Sequence, residues 1–204
     1  MPLTSPARIL FVCLAVVSLP FNTVTAADWQ QRRIDAWQKL ITDHQSDAEQ
    51  NKVRLVNQFV NQMQYVDDAV KWGRRDYWAT PLEFLAANGG DCEDFAIAKY
   101  FTLKSMGVPE SRLRMVYVKS RPAGQSHMVL EYFPEKAGSP VVLDNDNNQL
   151  ITADKRTDLV PVYSFNRRSY WLSRPDGSQQ YIGSAQRLSR WKEVLDRWEK
   201  NTAL

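Results

Sequence analysis

The sequence predicts an α+β fold on three observations. Helix-period apolar stripes fill the N-terminal third, a helix apolar on several faces follows Gly90, and three β-rich runs come after it. A chain of 204 residues, 44% hydrophobic and 24% charged with only 8 glycines, has the composition of an ordinary globular protein, long enough for one full core.

Residues 1–26 carry Arg8 as their single charge, an apolar run from Ile9 to Leu19, and small residues at Val24-Thr25-Ala26 and Thr25-Ala26-Ala27. This is the pattern of a cleaved secretory signal peptide, its apolar run well short of the roughly 20 residues that span a bilayer. No later segment is apolar enough to span a membrane, so residues 27–204 are expected to form one exported domain. Within it, Trp29, Ile34, Trp37, Leu40 and Ile41 recur at helical spacing. Ser46-Asp47-Ala48-Glu49 has the form of a capping box opening a second helix with the stripe Val53, Val56, Phe59, Val60 and Met63. A helical part over about 27–66 is expected from these patterns. Residues 67–90 read as loops around a short helix from Pro81 to Ala87, with Trp72, Tyr77 and Trp78 as packing aromatics.

After Gly90, Phe95, Ala96, Ile97, Ala98, Tyr100, Phe101, Leu103 and Met106 leave no polar face, so this helix is expected to be buried, ending at Gly107. Leu113 to Lys119, Met128 to Phe133 and Val141 to Leu143 read as strands of an antiparallel sheet packed on that helix. Turn residues at Pro175-Asp176-Gly177 precede a C-terminal helix, about 184–200, bearing Leu188, Trp191, Leu195 and Trp198.

Charge points away from nucleic acid. Loss of residues 1–26 leaves 25 basic against 23 acidic residues, and the basic ones are scattered as isolated pairs. Cysteine count is more informative. Cys13 falls in the signal segment, which leaves Cys92 as the single thiol, unable to form an internal disulfide. Burial, an intermolecular bridge or use as a nucleophile are the alternatives. Cys92 opens the buried helix, where unpaired N–H groups and the helix dipole favour a thiolate and can stabilise an oxyanion.

A thiolate nucleophile needs a base, and the chain has two histidines. His44 lies among polar residues of the helical region, whereas His127 opens the second strand. Asp144 ends the third strand, placed to accept the Nδ1 proton of His127 and fix its tautomer. Asp144-Asn145-Asp146-Asn147-Asn148 looks like a calcium loop but has Gln149 where an EF-hand needs glycine and Lys155 where it needs an acid. Asp91, Glu93 and Asp94 crowd the cysteine and would raise its pKa. A hard cation, Ca²⁺ above all, would offset them.

Gly90-Asp91-Cys92-Glu93-Asp94-Phe95-Ala96-Ile97-Ala98-Lys99-Tyr100, Ser126-His127-Met128-Val129-Leu130 and Val142-Leu143-Asp144-Asn145 resemble the bacterial transglutaminase-like cysteine proteinases, in particular their periplasmic members that trim large surface adhesins. The likeness extends from Trp78 to Asn166, within an expected catalytic core of 76–166. It implies a papain-like, transglutaminase-like fold, with Cys92 as nucleophile, His127 as acid and base, and Asp144 as orienting carboxylate. It also implies calcium dependence through Asp91 and Glu93, with Asp94 as a further ligand. The implied substrate is the N-terminal region of a large secreted adhesin, cut at a paired-alanine site. The implied regulator is the periplasmic domain of an inner-membrane cyclic di-GMP receptor. Two alternatives share the fold: acyl transfer to an amine, as in transglutaminases, and a non-catalytic binding module.

Overall fold

The computed structural model describes residues 25–202 apart from 122, 123 and 137. The expected signal segment lies outside the described residues except for its last two positions. No described helix is long and apolar enough to cross a membrane.

Helix α1 (Ala26–Asp43) begins with a capping box in which Thr25 accepts from Asp28 N–H and Asp28 accepts from Thr25 N–H. Helix α2 (Glu49–Val60) does not use the box read from Ser46. Its N-cap is Ala48 without a side-chain bond. Glu49 is drawn instead onto Arg112 and the Tyr132 hydroxyl, both at 2.7 Å, so a charge-assisted tertiary bond replaces the local cap. A two-residue strand β1 (Gln64–Tyr65), a one-turn helix α3 (Asp68–Lys71) and helix α4 (Pro81–Ala87) follow. Strand β2 (Gly89–Gly90) then pairs parallel with β1 and leads into the buried helix α5 (Cys92–Ser105).

The two glycines of β2 are needed for different reasons. At Gly89, φ is +136°, and a Cβ would fall 1.9 Å from the Gln64 carbonyl oxygen. At Gly90 the backbone is ordinary, but a Cβ would meet the Asp94 carboxylate at 2.0 Å. Pairing with β1 at this closeness fixes the backbone immediately ahead of Cys92.

The sheet is larger than the three expected strands. β3 (Leu113–Ser120), β4 (Ser126–Tyr132), β5 (Val141–Leu143), β6 (Ile151–Thr152), β7 (Leu159–Phe165), β8 (Ser169–Ser173) and β9 (Gln179–Ser184) form one antiparallel sheet of order β6-β5-β4-β3-β7-β8-β9. Pro161 had disguised β7. The register shift between Tyr117 and Val118 of β3 lies where Pro161, which has no N–H to give, is accommodated.

Helix α5 lies against β4 and is almost wholly buried, as its all-round apolar surface requires. Helix α6 (Ser189–Thr202) closes the other side: Trp191 stands edge-on to Tyr100 at 5.6 Å, and Trp198 meets Phe101 at 4.8 Å and Trp37 at 6.3 Å. It starts after β9 and a short 3₁₀ turn, Ala185–Arg187, so Leu188 precedes the helix. The core therefore runs from α1 and α6 through α5 into the sheet.

Candidate active site

Cys92 enters the site from the helical layer and His127 and Asp144 from the sheet. The thiol is the first residue of α5, behind the N-cap Asp91, and is 8% exposed. His127 is the second residue of β4, and the register Leu130↔Leu143 brings the chain leaving β5 alongside the start of β4. Cys92, His127 and Asp144 line one cleft of about 550 Å³, with Tyr65, Ser126 and Arg156 among its other walls.

The sheet half is tightly bonded. His127 Nε2 lies 2.8 Å from Asp144 Oδ1. This corrects the expected Nδ1 contact. Asp144 sits one strand over, at the reach of the far ring nitrogen, which leaves Nδ1 unclaimed by the carboxylate. Asp144 is 1% exposed and also accepts from Asp146 N–H at 3.0 Å and from Arg156 Nη2 at 2.8 Å. Burial alone would raise its pKa, but the hydrogen bond and charge of His127, then Asp146 N–H and Arg156, bring it down to about 2. Burial alone would lower His127, and the bond and charge of Asp144, with Asp146 and Glu93, outweigh it and raise the imidazole. Asn61, the C-cap of α2, ties this loop to the helices through bonds to Asp144 O at 2.7 Å and Asn148 Oδ1 at 2.6 Å. The other histidine, His44, caps α1 and pairs with Asp47.

The helical half is electrostatically loaded. Cys92 Sγ lies 2.8 Å from Glu93 Oε2. Burial pushes the thiol up, and the charge and hydrogen bond of Glu93, then the charge of Asp91, push it further; Met128 N–H acts in the opposite direction. Of the three acids expected around the cysteine, the structure groups Asp91 and Asp94 with Asp68, their carboxylate oxygens within 4.8 Å of one another, and places Glu93 beside Asp91 and the thiol. Asp94 accepts from Ala79 N–H at 2.6 Å and Trp72 Nε1 at 3.3 Å, and Asp68 accepts from Tyr77 N–H. The aromatic segment 72–78 thus packs as expected while its backbone and one indole hold two acids.

Asp68 Oδ1 and Asp91 Oδ1 are buried without a hydrogen-bond partner. Burial, then the charges of Glu93, Asp94 and Asp68, raise Asp91. Burial carries Asp94 to about 8 against the opposing Ala79 bond. Clustered oxygens with orphaned lone pairs are the donor set a hard cation takes. Asp68 was invisible in the sequence, where it sits in a stretch read as loop; so was Arg156, one basic residue among many.

A cysteine at a helix start that shares a cleft with a sheet-borne histidine bonded to a carboxylate fits the arrangement of cysteine proteases with a transglutaminase-like fold. The chain belongs to the bacterial transglutaminase-like cysteine proteinases, whose family profile matches residues 22–173. No curated protein matches it. Among solved structures it is similar to calcium-bound LapG of Legionella pneumophila, with 38% identity and a TM-score of 0.73 over 83% of this chain and 91% of that one. The EGTA-treated form of the same protein gives 38% identity and a TM-score of 0.74 over 82% and 89%.

Proposed function

We propose that this protein is a calcium-dependent periplasmic cysteine endopeptidase that cleaves the N-terminal region of a large surface adhesin at a paired-alanine site. Release of the adhesin would disperse a biofilm, and the periplasmic domain of an inner-membrane cyclic di-GMP receptor would sequester the enzyme. The observation that carries the catalytic part is the shared cleft of Cys92 and the hydrogen-bonded His127–Asp144 pair. Similarity at 38% identity to a calcium-bound LapG supports the calcium dependence, while the adhesin substrate and the sequestering receptor are what the family resemblance implies.

In this reading Cys92 gives its proton to His127, and Sγ attacks the scissile carbonyl carbon. The oxyanion forms at the start of α5, where the first-turn N–H groups have no helical acceptor. His127 then protonates the amine as the C–N bond breaks. It next takes a proton from water, which attacks the thioester and frees the acid and Sγ. Asp144, ionised throughout, holds the ring and favours the imidazolium. Asp68, Asp91 and Asp94, with Glu93 adjacent, would hold Ca²⁺. When bound, the ion supplies positive charge against the carboxylates that otherwise keep the thiol protonated.

The test is cleavage of an adhesin N-terminal fragment by wild type and Cys92→Ala, in calcium and in a calcium-specific chelator. Cutting that needs both calcium and Cys92 is expected; cutting that survives Cys92→Ala would overturn the mechanism.

A further inference from the structure

We infer that Arg156 is a positioning residue for the His127–Asp144 pair, itself clamped by Asp158. The inference rests on the triad proposed above. A buried carboxylate keeps its charge where it is paired and hydrogen-bonded, and a bond on each oxygen fixes its orientation. Asp144 Oδ1 is held by His127 and by Asp146 N–H. Among the described residues, the donor on Oδ2 is Arg156 Nη2, at 2.8 Å.

Arg156 is built to keep that bond. It is 7% exposed and closes a 3₁₀ turn, Ala153–Lys155. Its N–H bonds Ala153 O at 3.1 Å, and its carbonyl accepts from Leu159 N–H at 3.1 Å. The guanidinium forks onto Asp158, with Nε 2.9 Å from Oδ1 and Nη2 2.8 Å from Oδ2. A planar fork can grip one carboxylate and still present a hydrogen to a second; a lysine ammonium supplies the charge without that geometry. If Oδ2 were released, Asp144 could rotate and Oδ1 would no longer dictate which ring nitrogen of His127 carries the proton.

Other charges face Asp144: His127 from β4, Lys99 from α5, and Asp146 from its own loop. Neither Lys99 nor Asp146 donates a side-chain hydrogen bond to Oδ2, so neither substitutes for Arg156. Arg156 and Asp158 also line the cleft, which makes substrate binding the competing role.

The two roles separate in one experiment. With only His44 and His127 in the chain, ¹⁵N-histidine spectra resolve His127 once His44→Gln removes the other signal. In the calcium-loaded wild type, neutral His127 is expected as a single tautomer protonated at Nε2. Arg156→Gln should mix the tautomers and lower kcat about 10- to 100-fold, by analogy with the cost of losing the hydrogen-bond partner behind a metal-bound histidine. KM should stay within about threefold, as when only transition-state stabilisation is lost. Arg156→Lys should restore part of both. A tautomer unchanged in folded Arg156→Gln would overturn the inference, and so would a loss carried by KM. The spectra need no turnover, so they decide the point even if the chain cleaves nothing. If Arg156→Gln does not fold, Asp158→Asn, which loosens the clamp alone, should move the tautomer in the same direction by less; no movement there would also overturn it.

Discussion

Asp68→Asn tests the acidic cluster while leaving its shape in place, because the amide oxygen can still accept from Tyr77 N–H. The carboxylate oxygens of Asp68, Asp91 and Asp94 lie within 4.8 Å of one another. At that distance and an effective dielectric of about 20, each ionised pair repels by about 3.5 kcal/mol. Three such pairs would rival the roughly 5 to 15 kcal/mol by which a domain is stable. The metal-free cluster therefore holds protons, and the raised Asp91 and Asp94 reflect this. Calcium at about 100 times its Kd stabilises the native state by about 2.7 kcal/mol. For a domain of this length that corresponds to a rise in Tm of about 5 to 10 °C. Melting would be followed by circular dichroism in chelator, in calcium and in magnesium. Wild type should show the full rise in calcium and a smaller one in magnesium. Asp68→Asn should melt in chelator at or above wild type, having shed a repulsive charge, and should lose most of the calcium response. A full calcium response in Asp68→Asn would refute the placement of the ion, and no response in wild type would refute the site.

Three further predictions use other residues. Asp144 is held near 2, below the ordinary carboxylate value, so the stability it contributes is present above pH 4 and is lost as pH falls from about 4 toward 2; acid denaturation of Asp144→Asn should lack that component. Burial lowers Lys99 to about 7 despite the charges of Asp144 and Asp146, so the unfolded chain binds the extra proton and stability should climb from about pH 7 to pH 10. Lys99→Met should remove the climb and raise Tm at neutral pH, which thermal melts across pH will check. Gly90→Ala should abolish the calcium-induced rise in Tm, because its Cβ would meet the Asp94 carboxylate at 2.0 Å; an unaltered rise in melting experiments would show that Asp94 is dispensable.

The parts legible in sequence are those where chemistry coincides with an element boundary. Cys92 opens a helix, His127 stands near the start of a strand and Asp144 follows one, so local pattern was enough to single them out. The helix Pro81–Ala87 and the strand Val141–Leu143 were bounded by Pro, Gly and Asn signals. What was not legible depends on tertiary approach. Asp68 reaches the cluster because the segment 72–78 folds back over it, and Arg156 matters only because a turn between β6 and β7 aims it at Asp144. β7 was masked by Pro161, and β8 and β9 by half-exposed faces with little apolar alternation. The contact of Asp144 with Nε2 and not Nδ1 is set by how the imidazole ring is turned in the folded site, which no spacing along the chain encodes.

The division of the site between two layers bears on when the protein can act. Cys92 belongs to the helices, His127 and Asp144 to the sheet, and Asn61 fastens one to the other. A chain with one layer formed has a thiol without a base or a base without a thiol. Under the mechanism proposed above, proteolytic competence therefore requires both layers to be formed and docked, and a partly folded copy would spare the unfolded backbone of its neighbours.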